Sequence, residues 1–493
     1  MKSRGWSVTC AGMGINLALG VLYAWSVIKK AIPVEWEWSD SDKALPYSIA
    51  CIVFALVMVP AGRLQDRIGP RWVATAGGIL TGIGCIVASY VVTVTWFVIG
   101  FGILVGAGIG LGYASATPPA VKWFPARKTG LIAGLVVAGF GLASVYISPI
   151  ANYLTGFSLS GKPLPAVEEL ARAKALAETQ YAATLQAVST THVEFGGADL
   201  LQIEHGAPVS PAATAELARR DAVRKDAAAQ LLALKERNIH RTLLSFGIGF
   251  MLVVTLLAQW LKIPPPGYQP ADAAAAAAQT APAAGVNLGP AQMLRTPLFY
   301  LLWVMFAFGA GAGLMIIGNI TTIAKLGKIE AGFILVALLA VGNAAGRIVA
   351  GMLSDRIGRL WTMFGIFLFQ AALMLVLRTG LTDMTAFVAV SMLLGFNYGA
   401  CLSVFPSTVK DNFGMKNFGI NYGLVFTAWG VGGFVFPLAA GKMFETAKKA
   451  AGAGSYDNAY QVAAGLLVVA AALTFATRAM EKRHRAHLAA AAL

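Results

Sequence analysis

A ten-residue pattern occurs twice in this chain, and each copy lies between two long apolar segments. The first copy, GRLQDRIGPR, covers residues 62–71, and the second, GMLSDRIGRL, covers residues 351–360. Both contain the core Asp-Arg-Ile-Gly, which begins at Asp66 in the first copy and at Asp355 in the second. A charged loop that recurs between apolar segments indicates two similar halves, each of which crosses a membrane several times.

The composition supports a membrane protein. Hydrophobic residues make up 57% of the chain and charged residues 12%, whereas a soluble domain carries roughly 25% charge. Apolar runs long enough to cross about 30 Å of hydrocarbon as helices recur along the chain. We count twelve, near residues 7–28, 44–62, 72–93, 96–118, 130–152, 241–262, 298–319, 330–354, 360–378, 383–405, 419–441 and 459–478. We therefore predict an all-α membrane protein with twelve transmembrane helices in two six-helix halves.

The formal net charge of +15 does not require a nucleic-acid partner. Basic residues concentrate in the short loops on one side of the predicted helices and in the tail after the last helix. This distribution is typical of cytoplasmic segments, which also meet anionic lipid headgroups. We expect a multi-pass protein of the bacterial cytoplasmic (inner) membrane, with both termini in the cytoplasm and the lipid bilayer as its surroundings.

The sequence does not favour an enzyme. The four cysteines lie inside apolar runs, and none has CxxC spacing, so we expect neither a disulfide framework nor a zinc site. The sequence also shows no phosphate-binding loop, no cluster of metal ligands and no nucleophile–base pair. We expect no catalytic residue, no cofactor and no metal.

The chain is predicted to divide into six segments. In order, these are transmembrane helices 1–5 of the N-terminal half (1–152), an extracytoplasmic helical insertion (153–240), helix 6 (241–262), a cytoplasmic linker (263–297), the C-terminal six-helix half (298–478) and a cytoplasmic tail (479–493). The insertion is rich in Ala, Glu, Arg and Lys, which predicts a hairpin of two helices whose second member continues into helix 6. The hairpin serves either as an ordered spacer or lid, or as a docking site for a partner. The linker is rich in Pro, Ala and Gly, which favours a partly flexible segment.

Arg347 is exceptional because it lies inside a predicted membrane helix. It precedes Asp355 by eight residues, which is about 12 Å at about 1.5 Å per residue. A guanidinium at that depth is costly and therefore indicates function. No acidic residue lies clearly inside another predicted helix, so we expect a substrate anion to supply the negative charge. Asn343 lies one turn earlier on the same helix face.

Polar or aromatic residues also recur inside other predicted helices. Tyrosine hydroxyls in an apolar cavity can orient a small anion without adding charge, although each of these residues is also suited to packing. The residues that we select as candidate substrate ligands, beside Arg347 and Asn343, are Tyr23, Tyr113, Tyr398 and Phe426.

The repeated loop resembles the signature of the major facilitator superfamily, which lies between helices 2 and 3 and again between helices 8 and 9. The resemblance implies a monomer whose two halves rock around a central substrate site. It also implies that the charged loop residues form clusters between the halves that lock the outward-open state. The gate residues expected on this basis are Gly62, Asp66, Arg67 and Gly69 in the first loop and Asp355, Arg356 and Gly358 in the second.

Further motifs resemble the oxalate–formate antiporter family, notably GVLYAWSV at 20–27, KWFPARKTG at 122–130 and GRIVAGMLSDRIGR at 346–359. In that family the arginine that Arg347 matches binds a carboxylate. Its oxalate-exchanging members carry a second cation, a lysine in helix 11, at the position of Trp429. One positive charge in place of two favours a monoanion over a dianion such as oxalate.

The related bacterial lactate carriers are similar in the residues around the carboxylate, which Asn343, Tyr113 and Tyr398 match. The resemblance therefore implies a carrier for a small monocarboxylate such as lactate, pyruvate or formate, working by proton symport or by anion exchange. An oxalate–formate type antiporter is the first alternative. A membrane sensor of carboxylates is the alternative from a different class.

Overall fold

The computed structural model describes residues 2–124, 129–158, 162–193, 211–265, 268, 287–329, 332–414 and 417–491. Twelve helices in this part of the chain are long and apolar enough to cross a membrane, which confirms the predicted fold class. Helices 1 to 12 cover Arg4–Ala31, Asp40–Ile68, Pro70–Ser89, Val94–Val121, Leu131–Leu154, Pro211–Ala258, Pro297–Leu326, Ile334–Ile357, Arg359–Arg378, Met384–Phe413, Phe418–Ala451 and Asp457–Glu481.

Two of these helices depart from regular α geometry. Helix 1 contains a 3₁₀ segment, Gly20–Ala24, and helix 4 contains a π-helical segment, Val98–Val105. Both types of segment often mark functional positions within a helix. The segment in helix 1 carries Tyr23, one of the candidate ligands.

The insertion between helices 5 and 6 contains the two helices that its composition predicts. The first is Pro165–Val193, and the second begins at Pro211 and runs without a break through helix 6 to Ala258. Residues 194–210, which connect them, lie outside the described part of the chain. We call the end of the bundle with these two helices the hairpin end, and the end with the two Asp-Arg-Ile-Gly loops the motif end.

The hairpin is fixed to the loop that follows helix 1. The Nζ atoms of Lys174 and Lys235 lie 3.5 and 3.7 Å from Glu35 Oε1, so one carboxylate joins both hairpin helices. Trp36 Nε1 also donates to Glu236 Oε1 at 2.9 Å. These contacts hold the hairpin against the N-terminal half.

The interdomain linker is described only near its ends. Residues 266–267 and 269–286, for which we expect flexibility, lie outside the described residues. The last part is packed on the C-terminal half, because the Leu288 carbonyl accepts from Asn417 Nδ2 and Asn421 Nδ2 at 3.1 and 3.0 Å. A short helix, Pro290–Leu294, then leads into helix 7.

Helices 8 and 10 approach each other backbone to backbone. Four glycines make this possible, because a Cβ atom on any of them would collide with a carbonyl oxygen of the opposite helix. The pairs are Gly342 with Met392, Gly346 with Phe396, Gly395 with Leu339, and Gly399 with Asn343. Since Gly346 adjoins Arg347 and Gly399 adjoins Tyr398, this contact sets the distance between two candidate ligands.

Contacts between the halves seal the hairpin end. Lys29 Nζ on helix 1 donates to Asn319 Oδ1 on helix 7 at 2.7 Å, and Thr321 Oγ1 donates to the Ser26 carbonyl at the same distance. All four residues are buried. The bundle is therefore closed at this end.

The two loops of the motif end have the same backbone geometry. Gly69 and Gly358 adopt φ angles of 91° and 94°, in a region that residues with side chains rarely occupy. Each glycine ends one helix and allows the next to start at the following residue. The recurrence of Gly in both copies of the pattern thus has a steric cause.

The charged residues of the motif end pair inside each half in this state. Asp66 lies 3.8 Å from Lys122, and Arg359 contacts both Asp355 and Asp411, at 2.6 and 2.9 Å. The side chains of Asp66 and Asp355 are about two-thirds exposed, at 65% and 66%. The clusters expected between the halves belong to a state that is open at the hairpin end, so they stay a prediction.

We predict that Gly346→Ala destabilises the protein, because the added methyl group would collide with the Phe396 carbonyl and force helices 8 and 10 apart. Overpacking of this kind costs about 1–3 kcal/mol. Thermal unfolding in detergent measures the effect. The matched control is Gly365→Ala, since no atom lies within 4 Å of a Cβ at that position. Equal melting temperatures for the two variants would contradict the backbone contact.

Candidate functional site

Arg347 is buried where the two halves meet, with 6% of its surface exposed. Its Nε donates to Asn343 Oδ1 at 3.0 Å, and its Nη1 donates to the Val137 carbonyl of helix 5 at 2.8 Å. Both acceptors are uncharged. Among the described residues no acidic side chain forms an ion pair with this guanidinium. Its positive charge is therefore held in place by hydrogen bonds but not neutralised.

A second unused donor lies beside it. Asn343 Nδ2 is buried without a hydrogen-bond partner among the residues described. A Cβ atom on Gly141 of helix 5 would lie 3.5 Å from Asn343 Nδ2 and 3.6 Å from Arg347 Nη2. The position that a Cβ atom would take on Gly141 thus faces two N–H donors, the Arg347 guanidinium and the Asn343 amide. This arrangement can receive a carboxylate oxygen.

Aromatic rings enclose the guanidinium and the amide. The ring of Tyr113 packs edge-on against Phe140, which adjoins Gly141, with 5.4 Å between the ring centroids. Phe426, from helix 11, stacks on Tyr113 at 6.2 Å and contacts Phe54 of helix 2 at 5.6 Å. These rings form apolar walls to which both halves contribute.

A chain of three hydrogen-bonding side chains crosses between the halves on another side of the site. The hydroxyl oxygens of Tyr23 on helix 1 and Tyr398 on helix 10 lie 2.7 Å apart. Trp429 Nε1 on helix 11 donates to the Tyr398 hydroxyl at 2.7 Å. The Tyr23 ring packs edge-on against Phe140 at 5.0 Å, so the chain and the aromatic walls are continuous.

The structure brings the six predicted ligand residues into one cluster, although their role in binding stays a prediction. These residues are Tyr23, Tyr113, Asn343, Arg347, Tyr398 and Phe426. In contrast, the seven predicted gate residues lie at the motif end, away from this cluster. Five of them belong to the last turns of helices 2 and 8, and Gly69 and Gly358 connect these helices to the next ones.

Sequence reasoning missed the contribution of helix 5 and helix 2. Gly141, Val137 and Phe140 carry no charge and follow no motif, and Phe54 lies in an ordinary apolar run. The sequence singles out Trp429 only because related oxalate exchangers carry a lysine at this position, and it does not predict the hydrogen bond to Tyr398. An indole inside an apolar helix was the one available signal, because a buried indole N–H usually finds an acceptor.

The described residues include no cluster of side chains suited to a metal ion. No three His, Cys, Asp or Glu side chains within it lie close enough together to hold a metal ion. The polar groups that the cluster offers are a cation, an amide and hydroxyl groups, which suit the recognition of an anion.

Comparison with protein families gives one match over most of the chain. The family model described as the Major Facilitator Superfamily matches residues 6–161, 239–437 and 313–492. The second and third matched stretches overlap, and the first and second are separated by part of the hairpin.

Three curated proteins illustrate the range of relatives. The uncharacterised transporter YhjX of Escherichia coli is 26% identical over 87% of this chain and 85% of its own length. The oxalate:formate antiporter of Oxalobacter formigenes is 22% identical over 87% of this chain and 82% of its own. The apicoplast pyruvate carrier 1 of Toxoplasma gondii is 24% identical over 79% of this chain and 66% of its own.

Among solved structures, a bacterial homologue of the human lysosomal transporter Spinster has a similar fold. The TM-score is 0.58 at 15% sequence identity, and the alignment covers 98% of each chain. At this identity the likeness concerns the fold alone.

Proposed function

Because the chain belongs to the Major Facilitator Superfamily, we propose that it is a secondary transporter of small monocarboxylates, of the lactate, pyruvate and formate class. The observation that carries the proposal is the buried Arg347 guanidinium. Within the described residues its hydrogen-bond partners are all uncharged. A buried charge without a counter-ion is unfavourable. A carboxylate that neutralises it stabilises the site, and it can accept hydrogen bonds from Arg347 Nη2 and from Asn343 Nδ2.

The surroundings of Arg347 favour a small substrate with one charge. Arg347 Nη2 and Asn343 Nδ2 both face Gly141, so a single carboxylate beside this glycine can accept from both. The rings of Phe54, Phe140 and Phe426 suit the short alkyl part of such an anion. A second carboxylate would lie among these apolar rings without a cation, which disfavours a dianion.

We further propose alternating access between the two halves. The hairpin end is closed by hydrogen bonds such as that from Lys29 to Asn319, which break when the halves rock apart. Among the described residues no carboxylate contacts the cluster around Arg347. Proton symport would therefore carry the proton with the substrate, and anion exchange would need no proton at all.

The orientation that we propose places the motif end in the cytoplasm of a bacterium, because basic residues concentrate in the loops at that end. Both termini then lie in the cytoplasm, the hairpin (153–240) outside it, and the linker (263–297) inside. The protein would work as a monomer in the inner membrane.

The similarity to the oxalate:formate antiporter of Oxalobacter formigenes supports a second candidate function, an anion antiporter of that type. The two functions differ in the charge of the preferred substrate. A carboxylate sensor that binds without transport is the third, and flux measurements exclude or support it directly.

We predict that the purified protein in liposomes takes up labelled L-lactate under an inward proton gradient or in exchange for internal lactate. Arg347→Ala should reduce uptake by at least about 100-fold, because a charged hydrogen-bonding partner of the anion is lost. The control is Arg378→Ala, since Arg378 is exposed at the end of helix 9.

Equal loss in both variants would argue against a special role for Arg347. Binding of lactate by the wild type without any flux would favour a sensor over a carrier.

We predict that unlabelled pyruvate competes with lactate uptake and that oxalate competes at least about 10-fold more weakly, because its second charge gains no cation. Inhibition constants measured with the same liposomes test this. Oxalate that competes as well as pyruvate would support the antiporter alternative.

We predict that Gly141→Ala raises the KM for lactate by about 10-fold or more, because the methyl group displaces the carboxylate from one of its two donors. The nearest atoms lie 3.5 Å from the new methyl, which is ordinary van der Waals contact, so the variant should fold normally. Gly134→Ala in the same helix is the control, because a Cβ there has no neighbour within 4 Å. A normal KM for Gly141→Ala would place the carboxylate elsewhere.

A further inference from the structure

We propose that Trp429 is a positioning residue, which fixes the direction of the hydrogen-bond chain through Tyr398 and thereby makes the Tyr23 hydroxyl a donor to the bound carboxylate. The inference rests on the proposed function and deepens it. It assigns a role in binding to the indole N–H of Trp429, in addition to the packing of its ring.

The three members of the chain are withdrawn from water. The exposed fractions are 3% for Tyr23, 0% for Tyr398 and 1% for Trp429. Both links are short, with 2.7 Å between Trp429 Nε1 and the Tyr398 oxygen and 2.7 Å between the two tyrosine oxygens. With so little water to compete, each hydrogen atom in the chain has to point at one of these partners or into the site.

The chemistry of the three groups sets the direction. An indole N–H can only donate, whereas a tyrosine hydroxyl has one hydrogen and can both donate and accept. Trp429 therefore makes the Tyr398 oxygen an acceptor. If Tyr398 in turn donates to Tyr23, the hydrogen of Tyr23 is free to point elsewhere. In the reverse order, the hydrogen of the fully buried Tyr398 would be the one without an acceptor.

Tyr23 is the member of the chain that packs beside the Arg347 site. Its ring meets Phe140, the neighbour of Gly141 in helix 5, edge-on at 5.0 Å, whereas the Tyr398 hydroxyl is held between Tyr23 and Trp429. A Tyr23 hydrogen that is not donated to Tyr398 is therefore available to an anion bound beside Gly141 and Arg347. The carboxylate is the acceptor that ends the chain.

Packing holds the indole in place independently of its hydrogen bond. Its ring stacks on Phe426 at 5.0 Å with an interplanar angle of 17°, and it meets the edge of Phe54 from the other half at 5.1 Å. A phenylalanine at this position keeps both contacts and loses only the N–H. The substitution Trp429→Phe thus separates the donor from the ring.

The chain also links binding to the approach of the two halves. Tyr23 belongs to helix 1, whereas Tyr398 and Trp429 belong to helices 10 and 11. The donor at Tyr23 has its fixed direction only while the two tyrosines are in contact across the boundary. An anion that accepts from Tyr23 therefore stabilises the closed arrangement of this region.

The test compares KM and kcat for L-lactate uptake by liposomes that contain the wild type, Trp429→Phe, Tyr398→Phe, Tyr23→Phe, and the double variant of Trp429 and Tyr398. Each single variant should raise KM by roughly 3- to 10-fold, because one neutral hydrogen bond is lost or left undirected. The kcat should stay within about two-fold, because the rings that pack between the halves are retained. The double variant should equal Tyr398→Phe, since Trp429 acts only through Tyr398.

Trp303→Phe is the matched control, because the Trp303 indole donates to Thr427 Oγ1 at 2.9 Å outside this chain. An unchanged KM in Trp429→Phe, or multiplicative effects in the double variant, would overturn the inference. If Trp429→Phe lowers the yield of folded protein, Tyr398→Phe interrupts the same chain and decides the question. If the wild type does not transport carboxylates, the proposed function and this inference are both overturned. If the wild type transports lactate but Trp429→Phe leaves the KM unchanged, only the inference is overturned.

Discussion

The uncompensated charge of Arg347 is the constraint on which the arrangement of the site depends. Hydrogen bonds to Asn343 and to the Val137 carbonyl orient the guanidinium but leave its charge unbalanced. In an apolar bundle such a charge is stable only if the fold prevents it from reaching water and if an anion can approach it. Gly141 and the unused amide of Asn343 lie beside this charge, so on the proposed function one carboxylate would satisfy both donors.

The rigidity that this requires comes from backbone contact. Because four glycines bring helices 8 and 10 together, the segments that carry Arg347 and Tyr398 cannot slide apart to relieve the buried charge. The remaining walls come from the other half, through Gly141, Phe140 and Phe54. A ligand between the halves thus senses their separation directly, and its binding free energy changes when they rock.

The sequence was sufficient to predict the twelve helices, the two-helix insertion and the exceptional position of Arg347, because these follow from run length, composition and the rarity of charge inside a membrane helix. Tyr113 and Tyr398 were selected through the family resemblance, and Tyr23 and Phe426 as polar or aromatic residues inside apolar runs. Asn343 followed from its spacing of one turn from Arg347. Gly141, Val137 and Phe54 could not be foreseen, since their contacts join residues far apart in sequence across the boundary between halves. The anchoring of the hairpin by Glu35 was hidden for the same reason, because a surface carboxylate in a loop does not reveal which lysines lie opposite.

The contacts that close the hairpin end differ in kind from those that bind the anion. Lys29 is buried, yet its hydrogen bond goes to an amide and not to a carboxylate. Breaking a buried ion pair leaves two uncompensated charges, whereas separating an ammonium from an amide leaves only one charge that must be hydrated. Rocking of the halves admits water to this end, so the separated Lys29 is hydrated as it loses Asn319. On the proposed function, this weaker contact lets the closed end open, while the charge–charge interaction forms between Arg347 and the transported anion.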